Sequence, residues 1–146
     1  MRRLTAIAVS LMLAGALAGC GDPIKGYCSA LTKDQPQIAD MISDTSSDAL
    51  VTHLPLLKSL GAKAPDDLSD EWQTFLGAVE GLSDALKSAG IKPSAFANGD
   101  KPTGLSAAKL KAIIGAADQL SSDDVVNAAN GIDQEAKDVC QIDLGV

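Results

Sequence analysis

The chain has 146 residues, 46% of them hydrophobic but only 3% aromatic, and a formal net charge of −7. That length suits one domain, and a composition led by Ala and Leu favours helices over a β-sandwich. The acidic balance argues against nucleic-acid binding, which needs clustered Lys and Arg, and the single histidine, His53, excludes a His-rich metal site.

Arg2 and Arg3 precede an uncharged run, Leu4 to Ala18. A short basic start followed by an apolar stretch is the pattern of a secretory signal. The run is short of the roughly 20 apolar residues that span a bilayer. It ends at Leu17-Ala18-Gly19-Cys20, which resembles the lipobox of bacterial lipoproteins. In that family the cysteine thiol takes a diacylglyceryl group and the chain is cut just before it. The resemblance implies a cleaved signal peptide over 1–19, lipidation at Cys20, a short tether over 20–27 and a folded domain over 28–146. It places the protein at the extracytoplasmic face of the cell membrane.

Two or three acyl chains of the palmitate kind on Cys20 would anchor the protein stably, where one would hold it only marginally. Loss of Arg2 and Arg3 leaves the mature chain more acidic, so it gains nothing from anionic lipid. Only Gly21 to Tyr27 separates Cys20 from Cys28, a reach of about 28 Å at full extension. The domain is therefore expected to sit close to the bilayer.

With Cys20 assigned to lipid, Cys28 and Cys140 remain. In an oxidising compartment an even remainder reads as a disulfide, and the absence of a C-x-x-C spacing argues against a redox motif. A Cys28–Cys140 bridge would join the first helix to the end of the last.

The helical pattern starts at Tyr27–Ser43, with a kink or fresh start expected near Asp34 because Pro36 interrupts it. A loop at Thr45–Asp48 leads to a second helix carrying Leu50, Val51, Leu54, Leu57 and Leu60, bent or interrupted at Pro55. Gly61–Pro65 is a break. The third helix is expected over Asp66–Ala89, with acids at its start and a stripe of Trp72, Phe75, Leu76, Val79, Leu82 and Leu86. Gly90 stops it, and a turn-rich connector from Lys92 to Pro102 follows, with room for one short helical turn. Ser106 caps a fourth helix bearing Leu110, Ile113, Ile114, Ala117 and Leu120. Ser121 or Ser122 caps a fifth bearing Val125, Ala129, Ile132, Ala136 and Val139. The predicted fold is all-α, a small bundle of four to five helices stapled by one disulfide, with short loops and largely antiparallel neighbours.

The candidate chemistry is sparse. His53 reads as a structural or solvent-facing residue. Asp66, Asp67, Asp70 and Glu71 lack the order of a calcium loop and suit a helix N-terminus. Asp124–Glu135 has the length of an EF-hand loop but places Val126 and Ala128 at ligand positions. Ser106, Ser121 and Ser122 read as caps, and no nucleophile-elbow, phosphate-loop or dinucleotide motif is present. Trp72 and Phe75 read as core. Gly77, Gly81, Gly115 and Gly131 lie inside helices, where each costs near 1 kcal/mol relative to Ala; close helix approach is the expected reason, and a cavity between such helices is the alternative. No catalytic, cofactor-binding or metal-binding residue is assigned.

Tyr27-Cys28-x-x-Leu31, Leu54-Pro55-Leu56-Leu57, Ala64-Pro65-Asp66-Asp67-Leu68 followed by Trp72, Gly104-Leu105-Ser106 and Val139-Cys140 occur in that order. In this the chain resembles small lipoproteins exported by actinobacteria. The resemblance supports paired cysteines and helices, and it carries no activity. The expected role is a membrane-anchored, non-catalytic binding or scaffold module with an envelope partner. A carrier of a small apolar ligand or lipid is the alternative. An enzyme using carboxylates alone is a third reading, requiring two acids in one cleft.

Overall fold

The computed structural model describes residues 22–46, 48–96 and 102–144, and every regular element among them is helical. In chain order these are α1 (Pro23–Ser43), α2 (Ala49–Thr52), α3 (Leu54–Gly61), α4 (Ser69–Ala89), α5 (Ala107–Leu120) and α6 (Asp123–Asp138). Short 3-10 turns occupy Asp66–Leu68 and Pro93–Phe96. The predicted small helical bundle is present, with six helices among the described residues instead of four or five. The extra one arises at His53, where the expected second helix divides. Pro55 has no N–H to continue α2, but it suits the first turn of α3, where no intrahelical donor is needed.

The start of α1 and its course at Pro36 differ from the sequence reading. The helix starts at Pro23, because Asp22 accepts the Ile24 N–H at 3.1 Å and Pro23 fills the first helical position. It then runs unbroken past Pro36, where a kink or restart was expected. Pro36 and Thr32, whose carbonyl the proline cannot serve, are both exposed, so water can satisfy that oxygen. Ile38 and Met41 beyond the proline are buried, and their packing holds the last turns in helix.

The expected helix over Asp66–Ala89 begins as a 3-10 turn and becomes α4 at Ser69, with Asp70 and Glu71 in its first turn. Gly90 ends it in the left-handed conformation (φ 74°). There the Ile91 N–H bonds the Leu86 carbonyl at 3.0 Å and the Gly90 N–H bonds the Lys87 carbonyl at 2.9 Å. Ser106 caps α5 as predicted, accepting the Lys109 N–H at 3.3 Å. Ser122 occupies the N-cap position of α6, but its hydroxyl donates back to the Gln119 carbonyl at 2.7 Å and makes no cap bond.

α4 is the spine, because both hydrophobic clusters use it. Its first half carries Trp72 into a cluster with Tyr27, Leu31 and Ile38 of α1, Leu57 and Leu60 of α3, and Ile132 and Ala136 of α6. Its second half carries Leu82 and Leu86 into a smaller cluster with Ile113 of α5. Cys28 and Cys140 form the predicted disulfide, with Cα atoms 5.1 Å apart across a sequence separation of 112. Beside it, the Trp72 Nε1–H donates to the Tyr27 hydroxyl at 3.1 Å, and the two rings meet edge to face at 6.4 Å. Tyr27 is only 1% exposed, so the hydroxyl would be costly to bury without that bond.

The glycine expectation divides. A Cβ at Gly77, Gly81 or Gly115 would meet nothing within 4 Å, so these glycines do not serve close helix approach. Close approach occurs instead at Gly61, where a Cβ would lie 2.8 Å from Leu76 Cδ1 and 3.1 Å from Trp72 Cε3. Gly131 is intermediate, with Glu71 Cγ at 3.2 Å. Gly77→Ala and Gly81→Ala are each expected to raise unfolding free energy by about 0.5–1 kcal/mol in urea titrations, because Ala costs less backbone entropy in an exposed helix. Gly61→Ala is expected to lower it by about 1–3 kcal/mol, because Trp72 is pinned by Tyr27 and cannot give way freely.

Candidate functional site

Helix α5 is the least buried of the long helices. Of Leu110, Ile113, Ile114, Ala117 and Leu120, read from sequence as one apolar face, only Ile113 is buried. Leu110 and Leu120 are partly buried, Ala117 is exposed, and Ile114 is 50% exposed. The physical reason is that, among the described residues, α5 packs chiefly on the second half of α4 and only slightly on α6. A groove of about 190 Å³ results, lined by Leu82, Leu86, Pro93, Ile113, Ile114 and Ala117, with Asp48 at its edge. It joins an exposed large aliphatic side chain to an apolar depression.

Two other concavities differ in character. A cavity of about 60 Å³ within the main cluster is bounded by apolar residues, including Leu31, Met41, Leu57, Trp72, Phe75 and Ile132. An engineered apolar cavity of about 150 Å³ binds benzene, and this one is well under that size. Trp72 and Phe75 do line it, but as core residues packed edge to face at 6.2 Å. A shallow polar groove of about 360 Å³ lies between α4 and α6, where Asp70, Glu71 and Thr74 face Asp124 and Asn127. It brings together acids from the two stretches inspected for calcium motifs. Asp124–Glu135 is helix, not loop, and no group of three or more His, Cys, Asp or Glu able to hold a metal occurs among the described residues. Both acid clusters sit in first helical turns, where the helix dipole stabilises negative charge.

The remaining sequence candidates are placed apart. Cys20 lies outside the described residues. Cys28 and Cys140 are joined to each other. His53 forms the junction of α2 and α3, away from the polar groove's lining. Sequence reading did not single out Asp133, which is only 8% exposed on α6. Its Oδ2 accepts from Lys137 Nζ at 2.7 Å, while Oδ1 is buried without a partner. Lys137 also reaches Asp143 at 3.3 Å, tying the chain end to α6, and these carboxylates hold the Lys137 ammonium above its ordinary pKa. The i, i+4 spacing of Asp133 and Lys137 was visible in the sequence, but the burial that makes the pair matter was not. By contrast, the Lys58–Glu80 bridge, also 2.7 Å, is solvent-exposed and contributes little.

Comparison of the chain with protein-family models, curated proteins and solved structures finds no match. The site's chemistry therefore rests on its own residues.

Tyr27 is the most strongly perturbed titrating group described. Burial pushes its pKa up to about 12 from 10.0; the Trp72 hydrogen bond works in the opposite direction, and Glu135 adds to the rise. The unfolded chain ionises Tyr27 near pH 10 while the fold resists ionisation to about 12, so this contribution is full below pH 10 and fades between 10 and 12. Two units correspond to about 2–3 kcal/mol. Because the chain has a single tyrosine, its ultraviolet titration is unambiguous. Folded protein is expected to show no tyrosinate absorbance until well above pH 10. Tyr27→Phe should remove that portion of the alkaline stability loss, read as the difference between wild-type and variant unfolding curves.

Proposed function

We propose that this protein is a lipoprotein anchored through acylated Cys20 at the extracytoplasmic face of the cell membrane, and that its helical domain is a non-catalytic binding or scaffold module for an envelope protein. The anchor half of the reading rests on Arg2-Arg3, the apolar run and Leu17-Ala18-Gly19-Cys20, which resembles the lipobox of bacterial lipoproteins. Among the described residues no helix is long and apolar enough to cross a membrane. The binding half is carried by one observation: the half-exposed Ile114 beside the apolar α4–α5 groove. The carrier alternative draws no support from the main cluster, whose cavity is only about 60 Å³, and would have to use the same α4–α5 groove.

Two variants test the two halves. Wild-type protein is expected in the membrane fraction with acyl mass on residue 20, and Cys20→Ala is expected to lose both. Retention of acyl mass by Cys20→Ala would overturn the anchor. A photoreactive amino acid at position 114 should give one discrete crosslinked envelope protein in intact cells, and the same probe at exposed Lys63 should not. Identical or absent products at the two positions would overturn the assignment of the groove.

A further inference from the structure

The described chain begins at Asp22, at the end of the domain that carries the disulfide. Cys20 precedes Asp22, the first described residue, by two positions, so its Cα lies within about 7 Å of that of Asp22. Asp22 caps α1 directly, so the first turn of α1 is close to wherever the acyl chains enter the bilayer. Ile24 lies in that turn, one helical turn before Cys28 on the same face and about 6 Å from it. Cys140 is bonded to Cys28, and Val139 adjoins Cys140. Ile24 is 39% exposed and Val139 is 43% exposed, so two of the exposed large aliphatic residues flank the disulfide at the anchored end. A third, Val126 (46% exposed), stands at the other end of α6, about 20 Å away along its axis.

We infer that the end of the domain formed by Ile24, Val139 and the Cys28–Cys140 bridge rests on the phospholipid bilayer, with both aliphatic side chains at the boundary between headgroups and acyl chains. The inference rests on lipidation of Cys20, because the acyl anchor is what brings this end to the lipid. Charges at this end are mixed, with Asp22, Glu135, Asp138 and Asp143 beside Lys25 and Lys137. The contact therefore needs no anionic lipid, and the net acidity of the chain disfavours it. The disulfide gives the seat its rigidity, since it couples the start of α1 to the end of α6. The orientation is then fixed, and Val126 at the far end of α6 is turned to the aqueous side.

The test uses the full mature lipoprotein in phosphatidylcholine vesicles containing nitroxide-labelled lipid, with a genetically encoded coumarin amino acid at position 24, 139 or 126. Residues seated at the interface reach about 5–10 Å into the headgroup region, so quenching at 24 and 139 is expected to exceed that at 126 by at least about threefold. Acyl mass on Cys20 is measured on the same samples. Equal quenching at all three positions in acylated protein overturns the seating while leaving the anchor intact. Absence of acyl mass overturns both.

Discussion

One covalent constraint organises the molecule: the Cys28–Cys140 bridge joins its first helix to its last residues. Chain ends ordinarily fray, because nothing beyond them holds them down. Here the first and last described segments both belong to the main cluster, through Tyr27 and Leu31 on one side and Ile142 on the other. The bridge holds them together and so lets that cluster close. In the chain-entropy account a loop of roughly 100 residues is worth about 4.7 kcal/mol, against a total of about 5–15 kcal/mol for a typical domain. The Trp72–Tyr27 hydrogen bond lies next to the bridge and carries its constraint into α4.

From that end the structure loosens. The main cluster draws side chains from α1, α3, α4 and α6, whereas the cluster around Leu82, Leu86 and Ile113 is smaller and borders an open groove. The polar anchoring contacts follow the same gradient: Lys137 binds Asp133 and Asp143 near the bridge, while α5 relies on its Ser106 cap and a Lys109 bond to the Ala89 carbonyl. A disulfide-linked end and a smaller second cluster beside an open groove fit the binding module proposed above.

Much of this architecture was legible in the sequence because it depends on local chemistry. The caps at Ser106 and Gly90, the acids opening α4 and α6, and the stripe from Trp72 to Leu86 each carry their meaning within a turn or two. The cysteine pairing was legible from parity. The misses share a different cause. Pro36 looked like a break because sequence does not say that it would face solvent while Ile38 and Met41 were held by distant partners. Gly77 and Gly81 looked like contact points, yet the glycine in close contact is Gly61, whose neighbours Trp72 and Leu76 arrive from another helix. Periodicity marked one face of α5 as apolar but could not say that only Ile113 on it would be buried among the described residues. Gln141, the one non-glycine residue with positive φ (57°) among those described, gave no sequence signal, although it turns the chain so that the Ile142 N–H reaches the Ala136 carbonyl at 2.9 Å.

Urea unfolding of the oxidised protein beside the Cys28→Ser/Cys140→Ser variant tests the central claim most directly. The account predicts a loss of about 3–5 kcal/mol and a larger m-value for the variant, because its unfolded chain is no longer held in a loop of 112 residues. A loss below about 1 kcal/mol with an unchanged m-value would contradict it, and would mean that side-chain packing alone holds α1 to the end of the chain.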